Sequence, residues 1–269
     1  MKNKLSIIIP TWNTAAITLK CIQSFKKYLP PSGQPPNPQI IVVDNASTDN
    51  TLALLQKENI TLIKNSKNLG FAKACNIGAK KAIGDYLLFL NSDMELPNHK
   101  LIDMLKFLQK NPRIGAIGPQ FLNCDKTIQD SVFPPQTLIN AFKKFWLNQK
   151  TYSKYTPKRK KPSAVWAISG GAILIKKKLF KKIGGWNEKY FMYFEDLDLC
   201  RALHRHHKQI YYYPPSKIIH RHGASGKNLA DSDNQWRRLI PGAKKYHGLL
   251  TYYLIWFIIK TSQKWQKPN

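Results

Sequence analysis

Tyr86-Leu87-Leu88-Phe89-Leu90-Asn91-Ser92-Asp93 is a run of five apolar residues that gives way at once to an amide, a hydroxyl and a carboxylate. A short apolar run closed by turn residues reads as a buried strand. The same pattern stands twice upstream. Residues 5–9 stop at Pro10 and lead into Thr11-Trp12-Asn13, and residues 40–43 end at Asp44-Asn45. Helical stretches lie between. Residues 14–28 place Ile17, Cys21, Ile22 and Phe25 on one face. Residues 50–58 and the small-residue stretch 71–82 also read as helices, and 61–63 as a further short strand. Alternation of this kind predicts an α/β fold with a mostly parallel central sheet flanked by helices. Parallel sheets take ligands beyond the carboxyl ends of their strands. The three polar strand ends therefore face one crevice.

Each polar end carries its own chemistry. Asp44 suits a base N–H or a ribose hydroxyl, while Ser47 or Thr48, followed by Asp49 and Asn50, suits a helix cap. Asp93, at the end of a buried run, suits a divalent cation. Magnesium and manganese take hard oxygen ligands, often one or two carboxylates plus substrate phosphates. The same three residues also make an ordinary turn. Further on, Glu195, Asp196 and Asp198 follow the apolar approach Tyr190-Phe191-Met192-Tyr193-Phe194. Helical spacing puts Glu195 and Asp198 on one side, with Asp196 elsewhere. Carboxylates there suit a helix start, and an apolar wall raises proton affinity, as a general base needs. Among the histidines at 204, 206, 207, 220 and 222, His204 and His207 have no third ligand beside them and are not read as a zinc site. His220 ends another apparent strand, residues 217–219. Walker A, GxGxxG, HExxH and GxSxG motifs are absent.

The chain of 269 residues is 43% hydrophobic and carries a formal net charge of +28. It has enough apolar content for one large domain or two halves sharing a core, and its charge favours anionic partners. Cys21, Cys75, Cys124 and Cys200 have no CxxC spacing, which fits a reducing cytoplasm rather than a disulfide framework. The apolar run in MKNKLSIIIP is too short for a secretory signal, so export is not expected. From Ser131 to Asn187 there is no acidic residue, while basic residues gather at 143–161 and 176–182. Ile168-Ser169-Gly170-Gly171 enters another buried strand through a tight turn, ending at Ile175. Residues 247–259, HGLLTYYLIWFII, are too few to span a bilayer. With Lys244, Lys245 and Lys260 beside them, they suit either an interfacial segment with Tyr252, Tyr253 and Trp256 at headgroup depth, or a final core helix.

Taken in order, these pieces resemble family 2 inverting glycosyltransferases, in particular the rhamnosyltransferase-like branch. The matching segments are SIIIPTWN at 6–13, IIVVDNASTDNT at 40–51, NLGFAKACNIGAKKAIGDYLLFLNSDMEL at 68–96, ISGGAILIKKKLFKKIGGWNEKYFMYFEDLDLCRAL at 168–203 and IIHRHGAS at 218–225. The resemblance implies a GT-A fold over residues 1–225. A nucleotide-sugar-binding half would run to about 95 and an acceptor half over 96–225, leaving 226–269 as a basic, aromatic C-terminal segment. It implies that Asp44, with Pro10, Thr11 and Asn13, contacts the nucleotide, and that Lys73 and Asn76 lie near the nucleotide and its phosphates. It places Asn91-Ser92-Asp93 at the family's Asp-x-Asp metal motif, with Asn91 a departure from it, and implies that Asn91 and Ser92 contact the nucleotide sugar. Asp93 would bind Mg2+ or Mn2+ and His220 would complete the site. Asp196 would be the base and Glu195 its partner.

The resemblance implies a dTDP- or UDP-sugar donor and a glycan or polyprenyl-linked acceptor used in cell-surface polysaccharide synthesis. Together with the charge it points to a cytoplasmic protein held peripherally on the inner, anionic face of the membrane. Three other readings remain in view. The basic residues fall on no nucleic-acid-binding motif, so nucleic acid is not an expected partner. A GT-A-like scaffold without activity is opposed by intact Asp44, Asp93 and Asp196. A nucleotidyltransferase would show a glycine-rich loop where this chain has Thr11-Trp12-Asn13.

Overall fold

The computed structural model describes residues 4–29, 38–221 and 235–265. The Pro-rich stretch at 30–37, His222 and the end of the last family-like segment lie outside the described residues. In chain order the first elements are β1 (Leu5–Thr11), α1 (Ala15–Tyr28), β2 (Gln39–Asp44), α2 (Thr51–Leu55), β3 (Thr61–Lys64), α3 (Phe71–Lys81), β4 (Tyr86–Leu90) and β5 (Met94–Glu95). Next come α4 (Leu101–Lys110), β6 (Ile114–Leu122), β7 (Ile128–Gln129), β8 (Val132–Phe133), α5 (Leu138–Phe145), β9 (Ser163–Val165), β10 (Ala167–Ile168) and β11 (Ala172–Lys176). The chain continues through α6 (Lys177–Lys182), α7 (Glu195–Arg205), β12 (Gln209–His220), α8 (Gln235–His247) and α9 (Leu249–Trp265).

One sheet runs in the order β3-β2-β1-β4-β11-β6-β12-β5, with β7 on β6 and β9 on β12. The first four strands are parallel, β11 is antiparallel to both its neighbours, and β12 is parallel to β6. The apolar runs are continuous because both faces of the sheet are covered. Ile7, Ile9, Val42, Leu88 and Leu90 face Cys21, Ile22, Phe25 and Met104. The alternate residues Ile8, Ile41, Val43, Leu87 and Phe89 face Ala72, Cys75, Trp186 and Leu203. The small residues of α3 let it lie close on the sheet: a Cβ at Gly78 would stand 2.5 Å from Ile8 Cγ2.

β1 runs two residues past its expected end, through Pro10 to Thr11. Its ladder with β4 stops at Ile8↔Phe89 while that with β2 goes on to Thr11↔Asp44, so proline stands beyond the β4 pairing. The expected strand through 168–175 is broken by the Gly170-Gly171 turn into β10 and β11, because β10 leaves the main sheet to pair with β8. The strand expected at 217–219 is the end of the longer β12. α2 is shorter than expected and ends at Leu55.

Candidate active site

A crevice of about 550 Å³ opens at the carboxyl ends of the parallel strands. Pro10, Thr11, Asn45, Asn91, Ser92 and Asp93 line one side of it; Phe133, Gln136, Tyr152 and Lys154 line the other. Its floor is Ser169-Gly170-Gly171, and Glu195, Asp196 and His220 complete it.

The start of α7 places both carboxyl groups of the Glu-Asp pair in this crevice. Tyr193 and Phe194 have φ of 70° and 68°, two consecutive non-glycine residues in the left-handed region, which costs about 1–3 kcal/mol each. The Phe194 ring is held against Tyr246 and His247 of α8. Asp196 accepts N–H bonds from Gly170 at 2.9 Å and from Leu197 at 2.8 Å. Gly170 allows this approach, since its Cβ position lies 3.2 Å from Asp196 Cβ. Glu195 has only its own backbone N–H as a donor to set against burial, and its Oε2 is buried without a partner among the described residues. Burial first, and then the charge of Asp196, pushes the Glu195 carboxyl up to about 8. Burial raises Asp196 as well, while the Gly170 N–H and Lys154 pull it back down. The donors therefore stabilise the Asp196 carboxylate as the ionised member of the pair, with Glu195 holding the proton near neutral pH. Asp198, expected to share a face with Glu195, instead turns outward to Arg201 at 2.5 Å and Asn187 at 3.0 Å. The crevice spans the arc from the first to the second residue of α7, and the fourth lies outside it.

Asp93 and His220 meet through strand pairing. His220 at the end of β12 stands opposite Met94 in β5, and the adjoining Arg221 donates to Glu95 at 2.5 Å, locking that register. His220 Nε2 comes within 3.4 Å of Asp93 Oδ1. The other ring nitrogen, Nδ1, lies 2.7 Å from Gln129 Oε1, and the Gln129 amide donates to Asn123 at 3.1 Å. Gln129 is thereby oriented as an acceptor, so Nδ1 carries the hydrogen and, in the neutral ring, Nε2 is a lone pair facing the carboxylate. An oxygen and a nitrogen donor converging in this way fit one divalent cation. No group of three or more His, Cys, Asp or Glu residues gathers for a metal among the described residues, so the remaining ligands would come from substrate phosphates and water.

Asp44 is fully buried at the end of β2. One carboxylate oxygen accepts from Ser47 N at 3.0 Å, and Oδ1 has no partner among the described residues. Helix capping falls to neither Ser47 nor Thr48. Asn13, with φ of 51°, donates its N–H to Ser47 Oγ at 2.9 Å and accepts from Thr48 N at 2.7 Å, tying the loops after β1 and β2 together. Asn50 stands at the N-cap of α2 without a side-chain cap bond, and Asp49 before it accepts from Thr51 N at 3.0 Å and Ala15 N at 3.3 Å, joining the starts of α2 and α1. The Thr11 hydroxyl sits 2.7 Å from Thr18 Oγ1 and 2.9 Å from Thr14 Oγ1, so it is engaged within the protein. Ser92 Oγ lies 3.3 Å from Thr14 Oγ1, and the Asn91 N–H donates to Gly171 O at 2.9 Å.

Of the residues expected at the nucleotide, Asn13, Asp44, Lys73 and Asn76 are not among those that line the crevice. The inner face of α3 is taken by Ala72, Cys75 and Ala79, which pack on the sheet and leave Lys73 exposed. Asn76 donates to Trp186 O at 2.8 Å and accepts from Trp186 N at 3.0 Å, stapling α3 to the loop before α7. Lys154 and Tyr152 were hidden within the basic stretch, where nothing separates a crevice lysine from a solvated one. The Ser-Gly-Gly turn that forms the floor was visible, but not its bond to Asp196.

The model of glycosyl transferase family 2 matches residues 6–184. The chain belongs to glycosyl transferase family 2. Among its relatives within the curated proteins, the N-acetylglucosaminyl-diphospho-decaprenol L-rhamnosyltransferase of Mycobacterium tuberculosis is 27% identical over 201 residues, covering 67% of this chain and 66% of that protein. The O-antigen biosynthesis protein RfbC of Myxococcus xanthus is 23% identical, covering 82% of this chain and 18% of that protein. The chain thus spans about two-thirds or less of the length of these family 2 relatives. The fold is that of GT-A proteins. GalNAc-T7, solved with UDP, GalNAc and Mn2+, superposes with a TM-score of 0.65 at 17% identity, covering 91% of this chain and 47% of that one. S. aureus TarS superposes at 0.61 with 15% identity, covering 99% and 93%.

Proposed function

We propose that this family 2 chain moves one sugar from a nucleoside-diphosphate sugar to a hydroxyl of a glycan or polyprenyl-linked acceptor, with inversion, in cell-surface polysaccharide synthesis. The observation that carries the reading is the Asp196 carboxylate, fixed by the N–H groups of Gly170 and Leu197 in the crevice that Asp93 and His220 also line. Asp196 takes the acceptor hydroxyl proton as its oxygen bonds to the anomeric carbon. The bond from that carbon to phosphate oxygen breaks, and nucleoside diphosphate leaves with the electron pair. A single displacement inverts the carbon and needs no carboxylate nucleophile. Glu195, protonated, keeps a second negative charge away from the base. Asp93 and His220 would hold Mg2+ or Mn2+, whose chemistry is Lewis-acid neutralisation of the leaving diphosphate. The orphaned Asp44 Oδ1 is an acceptor for the base or ribose of the nucleotide. Asn13 supports Asp44 through Ser47.

A dTDP- or UDP-linked donor fits this site, and the mycobacterial relative named for rhamnosyl transfer supports a dTDP-rhamnose reading. A membrane-linked acceptor accords with a cytoplasmic protein held at the inner face of the membrane. The test is a panel of nucleotide sugars scored for nucleoside diphosphate release with magnesium or manganese. Release of pyrophosphate instead would replace transfer with nucleotidylation, and no release from any donor would overturn the reading.

A further inference from the structure

The outer faces of α5 and α9 take no part in the crevice. α9 is apolar on nearly every side, yet only one side is covered. Ile255 is 5% exposed, whereas Leu250, Leu254 and Phe257 are 76, 43 and 60% exposed. A helix apolar all round belongs in a core or in lipid. α5 repeats the arrangement: Ala141 is its buried residue, while Ile139, Phe142 and Trp146 fall at i, i+3 and i+7 and are 66, 45 and 37% exposed. The two stripes form one surface. Trp146 donates its indole N–H to Ile258 O at 3.3 Å, and its ring lies 6.2 Å from that of Trp265. Scattered exposed apolar residues are ordinary, but a contiguous cluster marks an interaction site.

The charge around this surface selects its occupant. Neither residues 131–187 nor residues 235–265, which build it, contain an aspartate or glutamate. Lys143 is exposed on α5, and the ammonium groups of Lys244 and Lys260 stand 5.2 Å and 4.6 Å from the ring centres of Tyr253 and Trp256. A second copy of the chain would press one positive face onto another. Nucleic acid would meet the lysines but leave Leu250, Leu254 and Phe257 in water. An anionic bilayer meets both needs, with acyl chains for the stripes and headgroups for the lysines. No helix among the described residues is long and apolar enough to cross a membrane. We propose that α5 and α9 form a platform that seats the protein on anionic lipid, with Phe142, Leu250 and Phe257 entering the acyl boundary. The segment after α5 supplies Tyr152 and Lys154 to the crevice, and α8 supplies Leu239. Docking therefore holds the crevice wall at the surface where a lipid-linked acceptor resides, which deepens, and rests on, the transferase reading.

The test sediments the full chain with vesicles of phosphatidylcholine alone and of phosphatidylcholine mixed with phosphatidylglycerol. The variants are Phe142→Ser, Leu250→Ser and Phe257→Ser, all at side chains already exposed. The expected result is binding to the mixed vesicles, weakened by salt, with each variant reducing affinity about tenfold. Nucleoside diphosphate release from donor in solution should be the same in all four proteins. Variants that bind like the parent, or equal binding to both vesicle types, would overturn the platform. So would a dimer that forms without lipid and is dispersed by Phe257→Ser, which would give the face to a second copy. Vesicle binding with no turnover of any nucleotide sugar would sink the transferase reading and leave the platform standing.

Discussion

At the residue scale the pair Glu195-Asp196 divides one task between two environments. Asp196 is buried but receives N–H groups from Gly170 and Leu197, whereas Glu195 is buried with one carboxyl oxygen unpartnered among the described residues. General base catalysis contributes about 10²–10⁴-fold, so Asp196→Asn should lower kcat by that much while donor affinity changes little. Glu195→Gln keeps the neutral form that the site already favours and should cost less. Asp198→Asn should leave kcat near normal and weaken the Arg201 pairing, which stability measurements would register. Steady-state kinetics on the three variants, with donor binding measured separately, separates these outcomes; near-normal kcat in Asp196→Asn would remove it as base. The identity of these carboxylates was legible in the sequence, since three acids after five apolar residues stand out. Which of them faces the crevice was not legible in their spacing, and only the family resemblance named Asp196. The orientation depends on the Gly170 N–H, supplied from 26 positions earlier in the chain. Asn76 makes the same point: its amide is spent on Trp186, 110 residues away.

At the element scale the long-range pairing of β5 with β12, together with the short β7, assembles the cation pair. β5 and β12 set His220 beside Asp93, and β7 contributes Gln129, which fixes the ring. The strand ends were legible because a buried run that stops at polar residues has one meaning in a parallel sheet. The role of β7 was not, because a two-residue strand carries no periodicity to read. Partners of this kind typically change metal affinity by about 10–100-fold when removed. Gln129→Leu should therefore weaken Mn2+ binding by that factor, measured by the electron paramagnetic resonance signal of free Mn2+ with nucleoside diphosphate present. Asp93→Ala should abolish both that binding and turnover, and EDTA should stop turnover in the parent. Full activity in EDTA would take Asp93 out of the metal role, and unchanged Mn2+ affinity in Gln129→Leu would leave Gln129 as structural only.

At the scale of the whole molecule the sheet joins the two expected halves, since β11 from the second half lies between β4 and β6 and its residues enter both cores. The carboxyl pair is anchored in that shared body, so its ionisation is linked to the stability of all of it. The Glu195 carboxyl stands at about 8 in the folded protein against an ordinary 4.5, mainly through burial and then through Asp196, with Lys154 acting in the opposite sense. A raised carboxyl means that the folded chain binds a proton which the unfolded chain has released. Its contribution to stability is complete below the ordinary value and is lost as pH rises through about 8. Asp196 is raised too and adds a loss of the same sign. Glu195→Gln has no proton to lose at this position. Denaturant unfolding of parent and variant at about pH 5 and about pH 9 should therefore show the parent losing stability relative to Glu195→Gln at the higher pH. Titrations away from the pair are common to both proteins and cancel in the difference; Asp196, paired with Glu195, is relieved of that neighbour's charge in the variant, which widens the gap in the same direction. A stability gap that stays constant between the two pH values would mean that Glu195 ionises alike in the folded and unfolded chains, and the division of protonation between the two carboxyl groups would fall with it.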